Sequence, residues 1–223
     1  MTEKQRLKQL EKERKAAEKL AKEKERIYSM LSYEREYAVY GAVCGIDEAG
    51  RGPLAGPVAA GAVILPKDCE ILYLNDSKKL SPKRRAGLYD EILEKAVSCG
   101  IGIVDAARID EINILQATYE AMRLAISRLS ILPDVLLNDA VTIPEVPMRQ
   151  VPIIGGDGKS LSIAAASILA KVTRDRMMEA YDALYPDYGF AGHKGYGTAA
   201  HIAALKQYGP CPLHRRSFIT HFV

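Results

Sequence analysis

No apolar run in this 223-residue sequence approaches the roughly 20 residues needed to cross a bilayer. Its opening residues are charged and lack the basic-then-apolar order of a secretory leader. Together these absences predict a soluble, cytoplasmic protein with no membrane contact. Cysteine is scarce and scattered, and Cys44, Cys69, Cys99 and Cys211 show neither CxxC nor finger-like spacing, so reduced thiols are expected. The four histidines, His193, His201, His214 and His221, include no HxxxH or HExxH pair, which argues against a zinc site. Any metal should therefore meet oxygen ligands. Charge of one sign is lacking too. Of 31 Lys/Arg and 28 Asp/Glu, residues 1–36 hold 11 and 8, leaving 20 of each beyond them. The net charge of +3 thus says nothing about a polyanionic partner, and any nucleic-acid contact must rest on local clusters.

Nearly half the residues are apolar, enough for one sizeable core, and the length suits one domain or one with an appendage. From Thr2 to about Tyr33 the chain is rich in Lys, Glu, Arg, Ala and Leu and free of Gly and Pro. Leu7, Leu10, Leu20, Ala21, Ile27 and Leu31 fall roughly on one helical stripe. Glu11 with Lys15 and Glu18 with Lys22 add about 0.2–0.5 kcal/mol each to such a helix. This charged helical extension, residues 1–36, reads either as a solvated arm or as a basic face for phosphates.

After Tyr40 the composition changes. AVCGID and PVAAGAVIL predict two strands paired as a hairpin, and Ser81-Pro82 opens a helix to about Ala96, with the serine as cap. A third strand is expected over Gly100–Asp105, then a long helix capped by Asp110 and ending before Pro133. The runs Val135–Leu137 and Val151–Ile154 predict two strands of a covered sheet. Leu161–Tyr185 and Thr198–Tyr208 complete the helices. Three strands followed by alternating strands and helices imply a mixed α/β sheet.

Asp47 and Glu48 stand where the first strand meets Ala49-Gly50-Arg51-Gly52-Pro53, a turn able to bend both acids into one cleft. Asp139 and Asp157 follow two later strands, and strand ends are where ligand sites gather in open α/β sheets. Four such acids in one pocket would repel unless divalent cations neutralised them, and oxygen ligands select Mg²⁺ or Mn²⁺. Two ions can activate water and stabilise the leaving oxygen of a phosphodiester. Gly158-Lys159-Ser160 looks like half of a phosphate-binding P-loop, but Ile153 stands where that motif needs glycine.

GIDEAGRGPLAGP at 45–57, NDSKKLS at 75–81, SLSIAAASILAKVTRDR at 160–176 and YGFAGHKGYGT at 188–198 closely resemble the ribonuclease HII (type 2 ribonuclease H) family, from about Tyr40 to Phe218. The resemblance implies a ribonuclease H-like five-stranded mixed sheet flanked by helices, with residues 37–223 as catalytic domain. It implies an endonuclease acting on RNA–DNA hybrids and on duplex DNA containing single ribonucleotides, with nucleic acid as partner. Asp47, Glu48, Asp139 and Asp157 would bind two Mg²⁺ or Mn²⁺ ions. By position, Gly50, Arg51 and Gly52 would read 2′-hydroxyls largely through backbone, and Tyr196 would pack at an RNA–DNA junction. Ser77, Lys78 and Lys79 suggest phosphate contacts, and the run Ile163–Ala170 a close-packed helix without catalytic duty. A monomer is expected. Asn138 departs from the usual aliphatic residue, and Gly155 and Gly158 from the lysine and small residue that often flank the last acid. A type 3 ribonuclease H and an inactive hybrid-binding module remain alternatives; the glycine turn speaks against the first and the full acid set against the second.

Overall fold

The computed structural model describes residues 3–222, so Thr2, the expected start of the helical extension, lies outside it. Small and β-branched residues build β1 (Val43–Ala49) and β2 (Val58–Ile64), which pair antiparallel with Asp47 opposite Gly61. β3 (Ser98–Val104) pairs antiparallel with β2, while β4 (Val135–Asp139) runs parallel to β1 and β5 (Arg149–Ile153) parallel to β4. The resulting order, β3-β2-β1-β4-β5, is the expected five-stranded mixed sheet. β4 is covered as predicted. β5 is not: it is the sheet edge, Pro152 on it is exposed, and Ile154 just beyond is 81% exposed. An edge strand tolerates proline because its outer side needs no ladder donor.

Helices cover both faces. On one lie α5 (Leu161–Leu184) and α3 (Pro82–Lys95), whose apolar residues join Val63, Ile71 and Leu74 in one cluster. On the other lies α4 (Ala106–Ser127), packing Ile109, Ala117, Ala121 and Met122 against β1 and β2. Each fully buried Leu or Ile contributes about 1.5–3 kcal/mol. α5 approaches the sheet backbone to backbone: a Cβ on Gly45 would stand 2.1 Å from the Ser162 carbonyl carbon, and one on Gly61 2.4 Å from the Ala166 oxygen. Those two glycines are therefore packing requirements.

α1 (Glu3–Met30) leaves Leu7, Leu10 and Leu20 exposed and enters the core only through Ile27 and Met30, next to Leu31. α2 (Ser32–Tyr37) follows, with Tyr33 and Tyr37 packed against Val43, Val135, Leu137, Ile153 and Ile163. Ser81 caps α3 as expected, accepting from the Arg84 N–H at 3.3 Å. α4 corrects the expected start: its cap is Asp105, which accepts from the Arg108 N–H at 2.8 Å. Asn113, at φ +67°, breaks the helix, and its side chain re-caps it from the Leu115 and Gln116 N–H groups. Asp110 instead holds the start of α8 (Arg216–Ile219), accepting from the Arg216 N–H at 2.7 Å and the Ser217 N–H at 3.0 Å. α6 (Phe190–His193) and α7 (Ala199–Tyr208), the latter capped by Thr198, complete the chain. Among the described residues no helix is long and apolar enough to cross a membrane.

Candidate active site

The parallel pairing of β1 with β4 brings the ends of both strands to one side of the molecule, and the turn after β5 arrives beside them. Carboxylate oxygens of Asp47, Asp139 and Asp157 consequently lie within 4.8 Å of one another. Asp47 is buried; burial, the Glu48 charge and Asp139 hold its carboxyl well above the usual range, with Ser167 of α5 opposing. Asp157 is pushed up by burial, then by Asp76 and Asp139. Asp139 is fixed by the Gly156 N–H, which donates to Oδ1 at 2.7 Å. An oxygen-only cluster in which burial and neighbouring charge disfavour ionisation of Asp47 and Asp157 suits a hard divalent cation, which would offset both burial and repulsion.

Glu48 is not part of that close group. It follows Asp47 near the end of β1, opposite Ala60. Its carboxylate bonds the Arg51 guanidinium at 3.3 Å at the rim, and burial and the Asp139 charge raise it while Arg51 and Lys78 lower it. Lys78 thus faces the cleft, acting on both Glu48 and Asp157. Lys78 and Lys79 are exposed, whereas Ser77 is buried and its hydroxyl meets that of Ser167 at 3.0 Å. Asp76, not singled out from sequence, stands beside Asp157 and shapes this turn by accepting from the Lys78 N–H at 2.9 Å.

Beneath the glycine turn sit two buried arginines that the sequence reading missed. Arg215 donates to the carbonyls of Gly56 at 3.0 Å, Arg51 at 2.8 Å and Gly50 at 2.5 Å. Arg174, on α5, donates to Pro57 at 2.8 Å, Lys194 at 2.9 Å and Ala55 at 3.1 Å. Burial and the Arg174 charge push the Arg215 guanidinium down to about 9, which leaves it charged at neutral pH. A trans peptide points its C=O and the next N–H in opposite directions. With the Gly50 and Arg51 carbonyls turned inward to Arg215, the N–H groups of Arg51 and Gly52 face outward. Tyr196, 44% exposed, stands beside them: a Cβ on Gly52 would be 4.0 Å from its ring.

Histidines with no sequence pairing meet behind Tyr196. His201 places Nδ1 2.9 Å from the Tyr196 carbonyl and Nε2 3.0 Å from Nε2 of His214. His214 Nδ1 accepts from the Cys211 N–H at 3.0 Å, so in the neutral pair His214 donates through Nε2 and His201 through Nδ1. Burial pushes His214 down to about 4, with help from His201, and burial also lowers His201.

The three departures fall around the acids. Asn138 is fully buried and donates to Gln150 Oε1 at 2.8 Å, and Gln150 in turn ties down Ile143 through N–H and carbonyl. It braces the strand pair carrying Asp139. Gly155 adopts φ +66°, a conformation that strains a side-chain residue, while Gly158 has open space around it.

A family model described as Ribonuclease HII matches residues 44–221. Ribonuclease HII of Lachnoclostridium phytofermentans is 67% identical over 91% of this chain and 80% of its own length. That of Ruminiclostridium cellulolyticum is 56% identical over 96% and 85%. Among solved structures, ribonuclease H2 from Pyrococcus horikoshii superposes with a TM-score of 0.65 at 29% identity, covering 78% of this chain and 92% of that one. The acid cluster, the glycine turn and these likenesses agree, and the chain belongs to the ribonuclease HII family, as a metal-dependent nuclease of the ribonuclease H class.

Proposed function

We propose that this chain hydrolyses the RNA strand of RNA–DNA hybrids and incises duplex DNA 5′ of single embedded ribonucleotides, leaving 3′-hydroxyl and 5′-phosphate ends. The observation that carries this reading is the adjacency of a three-carboxylate cluster to a backbone turn presenting N–H groups outward. Asp47, Asp139 and Asp157 would hold Mg²⁺ or Mn²⁺, with Glu48 completing the set from the rim. When bound, two such ions supply Lewis-acid activation of water and stabilise the leaving oxygen. The chain's own contribution is selection and placement. Outward N–H groups of Arg51 and Gly52 are suited to a 2′-hydroxyl, the group that separates RNA from DNA. The Tyr196 ring gives a flat surface on which a sugar or base at the junction can pack. Lys78 and Lys79, both exposed, would meet phosphates.

The test is cleavage of a hybrid and of a DNA duplex holding one ribonucleotide, each with Mg²⁺ and with EDTA. Asp47→Asn should abolish cleavage of both and remove the rise in melting temperature that Mg²⁺ or Mn²⁺ gives the unaltered protein. Near-normal turnover by that variant would overturn the ligand assignment, and binding without cleavage by the unaltered protein would leave a hybrid-binding module.

A further inference from the structure

Glu34, on α2, precedes the residues matched by the family, which begin at 44. Its carboxylate nevertheless reaches the loop that carries Asp157. Oε1 accepts from the Ser160 hydroxyl at 2.6 Å and from the Ser162 N–H at 2.8 Å. Ser160 is fully buried and caps α5, accepting from the Ile163 N–H at 3.2 Å. Its own N–H donates to the Gly156 carbonyl at 2.8 Å, and the Gly156 N–H ends on Asp139. A continuous set of bonds thus runs from Glu34 through Ser160 and Gly156 to Asp139, with Asp157 between the two anchored residues.

The loop's other ties are short-range: the Gly158 and Lys159 N–H groups donate to the Gly155 and Gly156 carbonyls, and Lys159 Nζ donates to the Ile154 carbonyl at 2.8 Å. Gly155 and Gly158 flank Asp157, and a Cβ at either would meet nothing within 4 Å. A cleft of about 330 Å³, lined by Ser29, Met30, Ser32, Tyr33, Gly158 and Lys159, leaves room for displacement. Such a segment takes its shape from its anchors, since glycine restrains the backbone least. α2 is docked independently through Tyr33 and Tyr37, so loss of the Glu34 carboxylate should leave it in place.

We infer that Glu34 is a positioning residue for Asp157: by holding Ser160 it sets where the Asp157 carboxylate stands relative to Asp47 and Asp139, and so the affinity of the cluster for a divalent cation. The inference rests on the reading of Asp157 as a metal ligand. Partners that orient a ligating carboxylate are commonly worth 10- to 100-fold in metal affinity. A residue that merely capped α5 would change melting temperature and leave metal binding alone.

The experiment is titration of the full chain with Mn²⁺ in the absence of substrate, free Mn²⁺ being followed by electron paramagnetic resonance. Glu34→Ala should weaken binding about tenfold. Glu34→Gln keeps an acceptor oxygen for both donors and should stay within about twofold of the unaltered protein. Asp157→Asn marks the effect of losing the ligand itself. Unchanged Mn²⁺ affinity in Glu34→Ala alongside weakened affinity in Asp157→Asn would overturn the inference and leave the metal reading standing. Unchanged affinity in Asp157→Asn would overturn the metal reading. Glu34→Gln as weak as Glu34→Ala would also overturn the inference. Should Glu34→Ala not fold, Glu34→Asp, one methylene too short to bring an oxygen to the Ser160 hydroxyl and the Ser162 N–H, is read by the same criteria.

Discussion

The Gly156 N–H donates to Oδ1 of Asp139 at 2.7 Å, so one acid of the cluster is fixed by the loop that delivers another. Asp139→Asn keeps an acceptor at that position and removes the charge; Asp139→Ala removes both. Both variants are expected to lose metal-dependent cleavage, but only the alanine should also speed hydrogen exchange at Gly156, by about the tenfold that loss of a ~1.4 kcal/mol bond permits. Equal exchange in the two variants would show that the loop is held by other contacts.

Tyr196 lies beside Gly52 and is 44% exposed. Tyr196→Ala should reduce kcat/KM on single-ribonucleotide DNA by about tenfold or more, the size of one lost stacking contact. On continuous hybrids, where each nucleotide offers a 2′-hydroxyl, the loss should be smaller. Equal loss on both substrates would contradict a junction-reading role.

Arg215 holds the Gly56, Arg51 and Gly50 carbonyls with three separate nitrogens of its planar fork, a spread that a single ammonium nitrogen lacks. Arg215→Lys retains the charge without the fork. Its expected cost is about 3 kcal/mol in urea unfolding, from two carbonyls left without a charged donor. Cleavage selectivity for ribose over deoxyribose should fall with it, because the Arg51 and Gly52 N–H groups lose their fixed direction. A stable variant with full selectivity would show that Arg215 does not orient the turn.

His214, lowered to about 4 by burial, is neutral in the fold at pH 7. Because its folded value lies below the ordinary 6.5, the unfolded chain takes up the proton first on acidification. Stability is therefore fully present above about pH 6.5 and is lost as pH falls toward 4, by up to about 3 kcal/mol. His214→Asn keeps an acceptor for the Cys211 N–H and cannot titrate there. Its melting temperature should fall less steeply between pH 6.5 and 4 than that of the unaltered protein. Identical slopes would remove His214 from the acid response.

Much of this was readable in the residues. The strand-end positions of Asp47, Asp139 and Asp157, the Ser81 and Thr198 caps, and the β1–β2 hairpin follow from local pattern, and local pattern decides them in the fold. Asp105 and Asp110 both suit a helix start, and only packing of the C-terminal segment assigns Asp110 to α8. Arg174 sat within a quoted motif and Arg215 beside another arginine. Partnered by carbonyls, they have no complementary acid in the sequence to betray them. The His201–His214 contact joins residues 13 apart across a turn, which no helical spacing rule detects. The small apolar run Ile163–Ala170 indicates packing alone, yet Ser167 within it faces Asp47 and Ser77.

Ser160, the cap of α5, and Ser167 and Arg174 on it follow at intervals of seven residues, about two turns, along one line. Those side chains reach, in order, the anchor of the Asp157 loop, the neighbour of Asp47, and the underside of the turn around Pro57. A single helix is thus the measuring rod between the acid cluster, where the proposed function puts phosphate chemistry, and the glycine turn, where it puts inspection of the sugar. Inserting one residue midway would swing everything beyond it by about 100°, uncoupling inspection from cutting while leaving each half locally intact.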